Sequence, residues 1–170
     1  FLTLLTSLGA QERRDPPGPL FPVQKDGRTS YIDRSGKIVF APRPGVNIVY
    51  HGDYPVFPEG LAQIQVEPDD PGASALSRNR VGFIDVTGKV VVEPQFQGAY
   101  DFSEGLAAVQ LNFLYGFIDQ TGRIVIPVGW QSARSFSEGL AAVGMDGKFG
   151  FIDKTGAGAG PLEFHGAEGF

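Results

Sequence analysis

Cysteine is absent from the 170 residues, so no disulfide, thiolate metal site or cysteine nucleophile is available. Positive charge is scarce: 14 Lys and Arg stand against 19 Asp and Glu, a formal net charge of −5. Duplex nucleic acid selects basic surfaces, so no nucleic-acid partner is expected. No run of about 18 apolar residues occurs, so no membrane-spanning helix is expected in the repeat region. No Gly-rich loop ends in Lys-Ser/Thr, which removes the usual phosphate cradle. No cofactor is expected.

What is abundant is glycine, 24 residues, and proline, 13, with 42% hydrophobic residues. Many short strands joined by tight turns have that composition, around a core of useful size. The chain starts at Phe1 and stops at Phe170 inside a repeat, which predicts a fragment or a degenerate end unit. Phe1–Ala10 reads as the back end of a secretory signal peptide, apolar and then small, although a positive leading region is missing. A secreted or extracytoplasmic location follows as an expectation. Residues 11–19, with Asp15-Pro16-Pro17-Gly18-Pro19, read as a linker that holds no helix.

From Leu20 onward an internal repeat governs. The turn Asp-x-Ser/Thr-Gly recurs at Asp33–Gly36, Asp85–Gly88, Asp119–Gly122 and Asp153–Gly156, at spacings of 52, 34 and 34 residues. Phe-x-Glu-Gly-Leu-Ala recurs at Phe57, Phe102 and Phe136, spaced 45 and 34. One 34-residue period explains both once about seven residues are inserted near Arg43–Val56 and about eleven near Pro68–Asn79. Units fall near 20–56, 57–101, 102–135 and 136–170. Each reads as a meander of three short antiparallel strands, such as 140–143, 150–153 and, one unit earlier, 123–126.

In the Asp-x-Thr-Gly turn the Asp carboxylate caps backbone N–H groups and the Gly takes the left-handed position. Asp26-Gly27 and Asp146-Gly147 signal two-residue hairpins. Asn112-Phe113 holds the same place, and positive φ would strain Phe113, so a different turn is expected there. The loop Gln120–Gly122 sets Ile118 opposite Ile124 and Phe117 opposite Val125. The loop at Asp146-Gly147 sets Ala142 beside Phe151 and Ala141 beside Ile152. Both faces of each sheet are then apolar, so each sheet must be sandwiched between its neighbours. The expected fold is all-β, tandem three-stranded antiparallel meanders in a propeller-like or solenoid array.

The run Gly147-Lys148-Phe149-Gly150-Phe151-Ile152-Asp153-Lys154-Thr155-Gly156, preceded by Phe136–Ala141, resembles the bacterial WG-repeat (KWG-type) family over Leu20–Phe170. The Trp-Gly pair that names the family is here Phe149-Gly150, Tyr115-Gly116, Val81-Gly82 and Thr29-Ser30, so these are divergent copies. The resemblance implies an all-β repeat module, often part of surface, secreted or interaction proteins, and carries over no catalytic residue.

Candidate binding residues form one column. Tyr50, Phe96, Trp130 and Phe164 align, followed by His51, Gln97, Gln131 and His165. An aromatic beside an amide or imidazole on each repeat suits a platform for a peptide or sugar. Strand alternation gives the competing and preferred reading, core aromatics beside polar residues that face water. The two histidines sit in different units without an Asp–Ser set or second ligand nearby, which supports neither a zinc site nor a triad. The four turn aspartates are read as caps rather than a calcium ladder. Glu59, Glu104 and Glu138 are read as solvated turn residues rather than a glycosidase pair. The expected function is a non-catalytic module binding a protein or glycan in a secreted or envelope bacterial protein. The alternatives are a structural spacer without a ligand and, least favoured, a hydrolase on a propeller-like scaffold.

Overall fold

A computed structural model describes residues 19–49, 55–66 and 80–163. Four antiparallel sheets follow one another along the chain. The first contains β1 (Phe21–Lys25), β2 (Arg28–Ile32) and β3 (Ile38–Phe40). The second contains β4 (Val46–Ile48), β5 (Leu61–Val66), β6 (Arg80–Asp85) and β7 (Val90–Phe96). The third contains β8 (Gly98–Ala99), β9 (Leu106–Leu111), β10 (Leu114–Asp119) and β11 (Ile124–Trp130). The fourth contains β12 (Ser132–Ala133), β13 (Leu140–Met145) and β14 (Lys148–Asp153). The described residues include no α-helix, only one turn of 3-10 helix at Pro58–Gly60. Each sheet has three or four strands rather than uniformly three. The additional strand is a short edge piece laid against strand one of its unit. In the third and fourth sheets it follows the previous sheet's last strand or its counterpart after one residue, Gln97 or Gln131.

Every sheet but the outermost is apolar on both sides, as strand alternation requires. Phe117 and Ile118 are neighbours in β10, and both have 0% exposure. Ile118, Ala107 and Val109 pack toward the second sheet with Phe83, Val92, Phe96 and Phe102. Phe117, Ala108, Leu106 and Ile126 pack toward the fourth sheet with Phe136, Ala141, Val143 and Ile152. A third cluster, including Tyr31, Ile48, Ala62, Ile64 and Ile84, joins the first and second sheets. Each such Phe or Ile contributes roughly 1.5–3 kcal/mol by leaving water. The alanines opposite large side chains allow the sheets to approach closely, as at Ala142↔Phe151 and Ala141↔Ile152.

The seams between sheets repeat. A methyl group added at Gly122 would meet the Val92 side chain at 3.1 Å, and one at Gly156 would meet Ile126 at 3.2 Å. One at Gly88 would overlap the Phe40 ring at 2.4 Å. Phe40, Val92 and Ile126 occupy the same place in successive units, so each turn glycine rides on the previous unit's third strand. Two aromatic pairs repeat with the same period: Phe83–Phe102 and Phe117–Phe136 meet edge to face, with centroids 4.8 and 4.9 Å apart.

Two expectations are corrected. Ile118 faces Ile124, but Phe117 faces Ile126 and not Val125. A β-bulge at Val125 displaces the ladder by one residue, and the same shift separates Ile84↔Val90 from Phe83↔Val92. The Asn112-Phe113 turn does not differ from its counterparts. Asn112 and Phe113 have φ of 51° and 65°, against 53° and 74° at Asp146 and Gly147. Both two-residue turns thus have the double positive φ of type I′, and the flanking strands impose it despite the Phe.

Candidate functional site

The recurring carboxylates are used by the fold. In each Asp-x-Ser/Thr-Gly turn one Asp oxygen accepts three hydrogen bonds. For Asp119 they come from Thr121 N at 3.0 Å, Thr121 Oγ1 at 2.6 Å and Arg123 N at 3.1 Å. Asp33, Asp85 and Asp153 repeat the set. The turn glycines Gly36, Gly88, Gly122 and Gly156 have φ between 82° and 86°. The hydroxyls of Ser35, Thr121 and Thr155, with the turn amides, hold Asp33, Asp119 and Asp153 below the ordinary carboxylate value. At Asp85 burial pushes upward, but Thr87 and the backbone amides outweigh it and the net shift is again downward. Among the described residues no three His, Cys, Asp or Glu side chains are grouped to hold a metal ion.

The glutamates do more than the sequence suggested. Glu59, Glu104 and Glu138 have φ of 54°, 55° and 52°, and the first two reach the next unit. The Glu59 carboxylate accepts from Gly105 N at 2.9 Å and Gln120 Nε2 at 3.1 Å. Glu104 accepts from Gly139 N at 3.0 Å and pairs with Lys154 Nζ at 2.9 Å. The Lys154 ammonium and the Gly139 amide hold the Glu104 carboxyl below its usual range. Glu138 has no such partner among the described residues. Gln63 Nε2 donates to Asp101 Oδ1 at 2.6 Å, and Ser103 Oγ donates to the Phe136 carbonyl at 2.7 Å, which adds polar ties across the same seams. The signal available in sequence was the left-handed Glu-Gly pair recurring at the repeat period.

The aromatic–polar column divides. Tyr50, His51, Phe164 and His165 lie outside the described residues. Phe96 is 2% exposed and presents no ring face to solvent, while Trp130 is half-buried against the cluster between the third and fourth sheets. The amides of Gln97 and Gln131 close hairpin turns: Gln97 Oε1 accepts from Phe113 N at 2.9 Å, and Gln131 Oε1 accepts from Asp146 N at 2.8 Å. Gln131 Nε2 also donates to Asp146 Oδ1 at 3.2 Å.

A cleft opens where the repeat is irregular. In the second and third units strand three presses against a glycine of strand two. A methyl group on Gly82 would lie 2.4 Å from the Val92 carbonyl oxygen, and one on Gly116 2.7 Å from that of Ile126. The first unit has Ser30 in that place, and its Cβ is incompatible with so close an approach. Accordingly β3 has three residues and ends at Phe40, where β7 and β11 have seven. Val81 is paired with Phe96 and Tyr115 with Trp130, but their equivalent Thr29 has no strand on that side among the described residues. The vacated space is a cleft of about 1170 Å³ between β1–β2 and residues 41–48, lined in part by Gln24, Asp26, Arg28, Ser30, Arg43 and Asn47. The β4 strand that forms part of its wall is itself a sheet edge.

The family model described as WG containing repeat matches residues 82–112 and 115–149. No curated protein and no solved structure gives a significant match. The matched segments contain the stacked Gly82 and Gly116 strands, two of the four Asp turns and the Glu104–Gly139 tie, and these two segments match the WG-repeat family.

Proposed function

We propose that this chain is a non-catalytic repeat module, a propeller-like or solenoid array that binds a protein or glycan partner. One observation carries the reading: in the first unit a cleft of about 1170 Å³, lined by polar and apolar residues alike, stands where the second and third units carry the end of a third strand. Interrupted repeats place recognition where the core is not needed for stacking. Residues 43–48, from the first insertion, lie on that cleft's wall. The second reading, a structural spacer, is favoured by the turn aspartates and by Glu59 and Glu104, which are all spent on capping and inter-sheet ties. A secreted or envelope setting rests on Phe1–Ala10 alone.

The test is an array of oligosaccharides and extended peptides probed with the full chain and with Arg43→Glu. A ligand bound by the wild type and lost in the variant, at unchanged thermal unfolding, supports the binding module. If no member of the array binds, or none responds to the substitution, the spacer reading replaces it.

A further inference from the structure

We infer that the first-unit cleft is a strand-addition site for an extended, acidic peptide. The inference rests on the binding reading above and names the partner's chemistry. Among the described residues both walls offer unpaired strand edges. On one side, Arg28–Ser30 of β2 extends past the last β2–β3 pair, Tyr31↔Phe40, with no described third strand beside it. On the other, β4 pairs only with β5, through Val46↔Val66, Asn47↔Gln65 and Ile48↔Ile64. Strand edges with free N–H and C=O groups capture extended peptides by main-chain hydrogen bonds, and flanking side chains select the sequence. In the second and third sheets the same position beside strand two is occupied by residues 92–96 and 126–130, so the fold places a strand there in its other units. Ser30 stands where the close approach needs glycine, and among the described residues no strand of the first unit fills the position, which leaves it open to a partner strand. Such a strand need not reproduce the tight bulge beside Ser30, because it is not tied to the chain that follows β2.

Charge sets the preference. Among the lining residues Arg28 and Arg43 face one carboxylate, Asp26. Both arginines are exposed, and neither has an ion-pair partner among the described residues. A guanidinium fork matches a carboxylate in two-point contact, so acidic side chains on alternate positions of the added strand are preferred over basic ones.

The full chain is titrated with fluorescein-labelled hexapeptides, (Glu-Val)3, (Thr-Val)3 and (Lys-Val)3, and with (Glu-Val)3 N-methylated at alternate amides. Anisotropy is expected to report binding of (Glu-Val)3 and weaker binding of (Thr-Val)3. (Lys-Val)3 and the N-methylated peptide are expected not to bind. Arg28→Glu and Arg43→Glu should each weaken (Glu-Val)3 by about tenfold while leaving the unfolding temperature in place. Equal binding of the lysine peptide or of the N-methylated peptide overturns the inference. So does failure of (Glu-Val)3 to bind. If it fails while an oligosaccharide or neutral peptide still binds in an Arg43-dependent way, the binding module stands and only the acidic strand is lost. If nothing responds to either arginine, both fall.

Discussion

The Glu104 carboxylate accepts the Gly139 amide at 3.0 Å across 35 residues of sequence, from one sheet to the next. Glu59 and Gly105 stand in the same relation one unit earlier, at 2.9 Å. These ties are charge-assisted, and each acts together with a second donor, Lys154 or Gln120. Glu104→Gln should lower the unfolding temperature and Glu104→Ala should lower it further. Lys154→Met should have a smaller effect, because the Gly139 amide remains. A double-mutant cycle between Glu104 and Lys154 measures the coupling. A coupling of zero would mean that the Glu104–Lys154 pair adds nothing to the seam beyond the Gly139 hydrogen bond.

Acid should loosen the stack. Asp33, Asp85, Asp119, Asp153 and Glu104 all sit below their ordinary values of 3.8 and 4.5. A group lowered in the folded state contributes stability that is fully present above its unfolded value and is lost as pH falls through the folded one. Urea midpoints should therefore be flat from neutrality down to roughly pH 5 and decline below about pH 4.5. Asp153→Asn, which cannot titrate, should show a shallower decline. An acid slope unchanged in that variant would place the titration elsewhere.

Gly122 combines a φ of 86° with the Val92 side chain only 3.1 Å from any added Cβ. Gly122→Val should cost about 1–3 kcal/mol from backbone conformation, with crowding added. Gly147 has a similar φ of 74° but open space around it, so Gly147→Ala isolates the backbone cost. Equilibrium unfolding of the two variants separates strain from overlap. A smaller loss at Gly122→Val than at Gly147→Ala would contradict the seam contact.

Phe113 is 58% exposed with a φ of 65°, so its ring gains little by burial while its backbone is strained. Left-handed backbone costs a non-glycine residue about 1–2 kcal/mol. Phe113→Gly should raise the unfolding temperature, since the amide that donates to Gln97 is retained. A lower temperature in that variant would show that the ring packs in a way its exposure does not reveal.

Gly116→Ala tests how closely strand three approaches strand two. The added methyl would overlap backbone atoms of Ile126 and Val128, at 2.7 to 2.9 Å, and backbone cannot step aside as a side chain does. The loss should reach or exceed about 3 kcal/mol, the upper end for overpacking. Unfolding at the wild-type denaturant concentration would remove the explanation given for the first-unit cleft.

The repeat, the two-faced sheets and the Asp turns were legible because each is a short-range pattern: period two along a strand, 34 residues along the chain. The alternation that places Phe117 and Ile118 on opposite faces needs no knowledge of neighbours. The pairing of Phe117 with Ile126 was not legible, because a bulge at Val125 has no side-chain signature of its own. The edge strands β8 and β12 were too short, at two residues, to leave a hydrophobic pattern. Glu59 and Glu104 look like solvated turn residues until the stacking of sheets brings the next glycine amide within reach. The cleft was visible only as a departure, Thr29-Ser30 in place of a ring and a glycine. Its meaning depends on the backbone that a glycine admits. At Asn112-Phe113 a local preference was real but lost to the twist of the flanking strands.

The shared seating of Gly122 on Val92 and Gly156 on Ile126, both against a β-branched side chain, makes these units exchangeable parts. Excision of residues 102–135 would lower Gly156 onto Val92 and bring Glu59 to Gly139 and Lys154, with every surface meeting a shape it already fits. A gene of this kind lengthens or shortens by recombination without inventing a new junction, so copy number evolves more readily than the joint itself.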